Sequence, residues 1–143
     1  MKSDFPLPDT ELESTRGFWE AASRDVLAIP RCGSCGRFQW YPRERCPACE
    51  GVDWSWTTMS GSGSLYSWAV VRRALARPFA DKVPYVPGLV ALEEDPAVRI
   101  VTNLVDCEPD DLQVDMPVRV VFRALSFPGS PREVRAPMFT PTG

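Results

Sequence analysis

The spacing of apolar and polar positions changes several times along the chain. Phe18, Trp19 and Ala22 recur at helical spacing, with Arg24-Asp25 on the polar side. Ser14 or Thr15 stands where a cap belongs, so a short helix is predicted there. Val26 to Ile29 reads as a strand stopped by Pro30. Trp54 and Trp56 alternate with Ser55 and Thr57, a period of two that predicts another strand. Gly61-Ser62-Gly63 predicts a break or a flexible bend. Beyond it the texture is β throughout, with strands predicted over Leu65–Val71, Val86–Leu92, Val98–Val105 and Val118–Phe122. One more short strand is predicted near Glu133–Arg135, followed by a tail. Glu93-Glu94-Asp95-Pro96 reads as a turn, and Glu108–Leu112 as one helical turn opened by Pro109. Four or five short strands over about 85 residues predict a small barrel or sandwich. A five-stranded Greek-key barrel of the OB type fits that length, although strand count alone does not separate it from an SH3-like barrel.

Texture divides the chain into three parts. Residues 1–29 hold an acidic, Pro-rich arm (1–13) and the helix, the arm being expected to order on a partner. Residues 30–52 carry four cysteines. Residues 53–143 form the β-rich remainder with a C-terminal tail.

Composition narrows the chemistry. The chain has 143 residues, 44% of them apolar and 24% charged, as expected of a globular protein with a core. The formal charge of -3 argues against general affinity for nucleic acid or anionic membranes. Histidine is absent, which excludes a Ser-His-Asp triad, a Cys-His dyad and an HExxH zinc protease. Only Lys2 and Lys82 are lysines, leaving two candidates for Schiff-base chemistry. The start lacks the apolar core of a secretion signal, and no run of 18 apolar residues exists. A cytoplasmic chain without a membrane partner is expected. In a reducing compartment, clustered cysteines serve as metal ligands more often than as disulfides.

Cys32-Gly-Ser-Cys35-Gly36 is followed by Cys46-Pro-Ala-Cys49, a C-x2-C-x10-C-x2-C pattern. Two thiolates three residues apart form a tight knuckle, and two knuckles close a four-sulfur tetrahedron. Gly36 suits the sharp turn after its knuckle. Cys32, Cys35, Cys46 and Cys49 are therefore candidate ligands of a structural Zn2+, since four thiolates leave no position for a catalytic water. A rubredoxin-type iron site, with electron transfer, is the rival reading. Cys107 reads as a lone buried thiol.

Arginines 31, 37, 43 and 45 surround the knuckles, with Phe38, Trp40 and Tyr41 between them. That mixture suits three roles: neutralising the thiolates, meeting a protein partner, or meeting nucleic acid. Phe18 and Trp19 on the helix, with Phe38, Trp40 and Tyr41, are the candidate partner interface. The alternative for the helix is packing on its own chain. A second basic cluster, Arg72, Arg73, Arg77 and Lys82, lies on a Pro-rich connection. It reads as solvated loop charge or as a grip for phosphates, such as those of a coenzyme A nucleotide.

The order of these features carries a resemblance. Phe18-Trp19 leads through a strand to Cys32-x-x-Cys35-Gly36, then Pro42-Arg43 and Cys46-Pro-x-Cys49. A Trp-containing strand, Gly61-x-Gly63 and Tyr66-Ser67 follow. Pro84-Tyr85-Val86, Pro109–Leu112 and Asp115-Met116-Pro117-Val118-Arg119-Val120 complete the run. Over roughly residues 15–125 the chain resembles the zinc-ribbon/OB-fold family once called domain of unknown function 35. The resemblance implies a mainly β chain: an N-terminal helix, a rubredoxin-like zinc ribbon, then a five-stranded OB-fold barrel. It also implies a non-catalytic accessory subunit of a thiolase-fold, aldolase or hydratase enzyme, handling acyl-CoA, with a homodimer open in isolation. Asp115 stands where the family often has Gly, in an expected turn that accommodates it if φ stays negative or αL is allowed.

Two other functions stay in view. An OB barrel binding single-stranded nucleic acid would draw on Trp54, Trp56, Tyr66, Trp68, Arg72 and Arg73, against the acidic balance of the chain. An enzyme in its own right would need more than the carboxylates from Glu93 to Asp111, which cluster in turns where solvated charge is the default.

Overall fold

The computed structural model describes residues 5–142. Lys2 and the first four residues of the arm lie outside them. A helix α1 (Arg16–Ala22) leads into strand β1 (Ala28–Cys32), which pairs antiparallel with β2 (Trp54–Thr58). Five further strands follow: β3 (Ser62–Trp68), β4 (Val86–Leu92), β5 (Arg99–Leu104), β6 (Pro117–Leu125) and β7 (Val134–Pro141). They close in the order β3-β4-β5-β7-β6. That is the OB arrangement, with a short 3-10 turn at Pro109–Asp111 between its third and fourth strands.

α1 buries Phe18, Ala21 and Ala22 against β1 and β7. It ends in a Schellman pair: the N–H of Val26 bonds the carbonyl of Ala21 at 3.0 Å, and that of Asp25 bonds Ala22 at 3.0 Å. Asp25 takes the left-handed φ of 60° that such an ending needs. Arg135 of β7 grips its carboxylate, Nη2 to Oδ2 at 3.0 Å and Nε to Oδ1. This ion pair holds the Asp25 carboxyl below its usual range. The end of the helix is thereby tied to the last strand.

β1 runs through Pro30, where a stop was expected. It sits in a two-stranded sheet, where a proline interrupts no central ladder. Its carbonyl accepts the Gln39 N–H at 3.0 Å. Gly61 forms the expected bend between β2 and β3, but Ser62 and Gly63 already belong to the strand. Gly61 turns at φ 87° and Gly63 lies within β3, paired with Leu92 and Val118. A Cβ on Gly63 would come within 2.5 Å of the Ala91 carbonyl oxygen, so the two strands can meet only here without a side chain. Gly63→Ala is expected to cost about 1–3 kcal/mol in urea unfolding, because the obstacle is backbone and cannot rotate away.

β7 is the largest departure from the sequence pattern. A short strand and a tail were expected, yet it runs to Pro141 and pairs with β6 over eight residues. Its partner on the other side is β5, at the single parallel pair Leu104 and Phe139. Pro137 has no N–H to offer β5 (a proline never does), but its carbonyl accepts the Thr102 hydroxyl at 3.2 Å. Asp115 adopts φ 66°, the left-handed turn its position requires, and its N–H bonds Leu65 at 2.8 Å.

One core joins all parts. Leu65, Val90, Ile100, Val118 and Phe139 fill the barrel, and Phe18, Leu27, Ile29 and Met59 continue the same cluster into helix and ribbon. A smaller cluster of Leu7, Phe127 and Val134 fastens the arm to the barrel. Arg132 Nη2 also donates to the Pro8 carbonyl at 2.8 Å. The described part of the arm thus packs on its own chain.

Candidate metal centre and ribbon surface

β1 and β2 hold the base of the ribbon, and the two knuckles project from it. In each knuckle the first cysteine's carbonyl accepts an N–H four residues on: Gly36 to Cys32 at 2.9 Å, Glu50 to Cys46 at 2.8 Å. Both closing residues have left-handed φ, 79° and 63°. Gly36 was legible as a turn residue; Glu50 fills the equivalent place without being glycine. The Cys32 N–H bonds Arg37 at 2.8 Å, and the Cys46 N–H bonds Gly51 at 2.8 Å. Trp54 of β2 donates its indole N–H to the Glu44 carbonyl at 3.0 Å, fixing the approach to the second knuckle.

The four Sγ atoms all lie within 4.8 Å of one another. Cys32 is 3.6 Å from Cys49, and Cys35 is 3.6 Å from Cys46. A zinc–sulfur bond of ~2.3 Å gives a tetrahedron with edges of ~3.8 Å, so the donor set fits the ion. Cys32 and Cys46 are buried, while Cys35 and Cys49 face outward. Backbone N–H groups prepare the thiolates. That of Cys35, with help from Ser34 and against burial, pulls Cys32 down to about 6. The N–H groups of Ala48 and Cys49 lower Cys46 in the same way. The Gly51 N–H acts likewise on Cys49, but the neighbouring thiols and burial outweigh it and push Cys49 up to about 12. A divalent cation relieves that mutual repulsion. The centre fits a closed, structural zinc site, which Cys32, Cys35, Cys46 and Cys49 would hold.

The aromatic residues around it divide. Phe18 is buried, packed on Trp40 at 4.8 Å between ring centroids and on Trp19 at 5.0 Å. Phe38 is half-buried beneath the Arg31 guanidinium, 5.1 Å from its ring, and Arg31 Nε also donates to the Gly36 carbonyl at 2.9 Å. Trp40 is half-buried, and Tyr41 is 56% exposed. Trp56 and Val52 are also exposed on the ribbon. Trp54 and Trp56 stand on the ribbon hairpin; Tyr66 stands on the barrel with the Arg99 guanidinium 4.0 Å over its ring.

Arg72, Arg73 and Arg77 are exposed on the β3–β4 connection, and their side chains form no hydrogen bond or ion pair among the described residues. Lys82 differs: it is half-buried, its Nζ 4.9 Å from the Phe127 ring centroid. Cys107 is also half-buried, and burial together with Asp106, Glu108 and Asp111 pushes its thiol above the usual range. Among the described residues, no helix is long and apolar enough to cross a membrane. Neither the grip of Arg135 on Asp25 nor the packing of Leu7 on Phe127 has a local signal in the sequence.

Residues 19–55 match the family described as "ChsH2, rubredoxin-like zinc ribbon domain", and residues 56–123 match "ChsH2, C-terminal OB-fold domain". A "DUF35 domain-containing scaffold protein" of Methanocaldococcus jannaschii is 36% identical over 115 residues, covering 80% of this chain and 79% of that protein. A "Probable enoyl-CoA hydratase alpha subunit" of Thermomonospora curvata is 34% identical over 135 residues, 94% of this chain. The chain spans only 40% of that relative's length. Among solved structures, a chain of the "Ltp2-ChsH2(DUF35) aldolase" superposes with a TM-score of 0.77 at 33% identity, covering 94% of this chain and 98% of that one.

Proposed function

Starting from the fact that this chain belongs to the DUF35 family of zinc-ribbon/OB-fold proteins, we propose that it is a non-catalytic accessory subunit of an acyl-CoA enzyme. Its partner in this reading is a cytoplasmic thiolase-fold, aldolase or hydratase subunit. The observation that carries the reading is the similarity, over nearly the whole of both chains, to a component of an aldolase assembly. A relative named as a hydratase subunit points to acyl-CoA chemistry. The site chemistry agrees. Four thiolates fill the tetrahedron, and the sequence has no histidine. The remaining thiol, Cys107, is held in its protonated form rather than activated.

The zinc in this scheme sets the shape of the ribbon and takes no part in a reaction. The exposed Tyr41, Val52 and Trp56 supply the aromatic and apolar contacts that protein interfaces favour. The unpaired Arg72, Arg73 and Arg77 offer a cationic rim to the phosphates of an acyl-CoA held between the subunits.

A pull-down with the tagged full chain, from native cytosol at moderate salt, tests this. Mass spectrometry is expected to find a thiolase-fold, aldolase or hydratase subunit at fixed ratio. Recovery of nucleic acid instead, or of no stoichiometric protein, would overturn the reading.

A further inference from the structure

One end of the barrel holds a cleft of about 590 Å³ that no ribbon residue lines. The β3–β4 connection supplies Phe79, Lys82 and Tyr85, and Phe127 comes from the β6–β7 connection. These are the first-to-second and fourth-to-fifth connections of the five-stranded barrel, which flank the ligand face in OB folds generally. The volume falls in the ~300–1,000 Å³ range of small-molecule sites.

The walls are mainly apolar. Phe79 packs on Tyr85 at 5.7 Å and edge-on to Phe127 at 5.3 Å, forming a continuous aromatic side. Leu104, Leu125 and Met138 line the cleft as well. Leu7 of the arm belongs to the same small cluster as Phe127, so the aromatic side is braced from the arm.

The charges in the cleft are unequal. Arg123 is already engaged by Asp106 at 2.6 Å. Glu108 is exposed and solvated. Lys82 is half-buried on the Phe127 ring, with no carboxylate in ion-pair range among the described residues. It is therefore the cation with most to gain from an incoming anion. One lysine, with Asp106 and Glu108 also lining the cleft, matches a single negative charge and repels a polyanion such as a nucleotide phosphate.

We propose that this cleft binds an amphiphilic carboxylate, an apolar chain ending in one carboxylate. Lys82 Nζ holds the carboxylate, and the chain lies against Tyr85, Leu104 and Met138. The cleft shares no residue with the ribbon surface of Tyr41, Val52 and Trp56, and its binding does not depend on the proposed enzyme assembly.

Decanoate is the probe, added to the zinc-loaded full chain, with decanol and coenzyme A as comparisons. Cys107 lines the cleft and reports occupancy through its alkylation by iodoacetamide, read on the tryptic peptide spanning residues 100–119. Decanoate is expected to slow that alkylation and to bind in calorimetry. Decanol should bind more weakly, and coenzyme A should leave Cys107 unprotected. Lys82→Gln should weaken decanoate on the order of tenfold, and Lys82→Arg should restore most of it. Equal protection by decanol, or an unchanged affinity in Lys82→Gln, would overturn the proposal. So would the absence of protection by decanoate. The pull-down result is independent of each of these outcomes.

Discussion

Cys46→Ser is expected to abolish stoichiometric zinc binding and to unfold the ribbon while the barrel strands persist. Cys46 is 1% exposed, and its sulfur completes the tetrahedron 3.6 Å from Cys35. A serine hydroxyl stays protonated at neutral pH, is harder than a thiolate and cannot replace it. Structural zinc contributes on the order of 10–16 kcal/mol to small zinc-binding modules. The ribbon has little else, since a two-stranded sheet is marginal on its own. Ile29 of β1 and Phe18 of α1 belong to the core shared with the barrel, so the damage should spread to it. The melting temperature should fall by roughly 10 °C or more, with metal content near zero by elemental analysis. Cys107→Ser is the control. That thiol lies outside the tetrad, and its loss should leave one zinc per chain. A Cys46→Ser protein with full zinc and an unchanged melt would show that the metal does not hold the ribbon.

The second large effect is expected at Phe139. Its side chain is fully buried, and its residue forms the one ladder pair between β7 and β5. The Val105 N–H bonds the Phe139 carbonyl at 2.9 Å, so the backbone contact would survive truncation. The core would not. Phe139→Ala is expected to cost ~3–5 kcal/mol, a large part of the ~5–15 kcal/mol that holds a typical domain. In urea the midpoint should fall with little change in slope. Val101→Ala, at a residue 76% exposed on neighbouring β5, should stay within about 0.5 kcal/mol. Equal effects at the two positions would mean that the barrel is not packed around Phe139.

Much of the architecture was legible because it is written in local spacing. The two knuckles need only a cysteine pair three apart and a turn after it, so all four ligands could be named directly. β4 matches the predicted Val86–Leu92, and the turn at Pro109–Asp111 lies within the predicted Glu108–Leu112. Both are bounded by residues whose backbone preferences act over one or two positions. Pro30 and Gly63 misled for the same reason. Their local preferences favour interruption, and tertiary pairing overrides them at an edge strand and at a close crossing.

The sequence by itself determined the cysteine tetrad, the helix, most of the strands and the absence of histidine chemistry. Each follows from residue type and from neighbours within a few positions. Only the tertiary structure decided that the final segment closes the barrel, that Asp25 is held by Arg135, and that the arm lies on Phe127. It also separated Lys82, turned onto an aromatic cleft, from the exposed arginines that share its connection. Those outcomes depend on contacts between distant positions, 110 and 124 apart in the Asp25–Arg135 and Pro8–Arg132 pairs. At that separation no spacing rule acts, and the partner is chosen by which surfaces the folded core brings together.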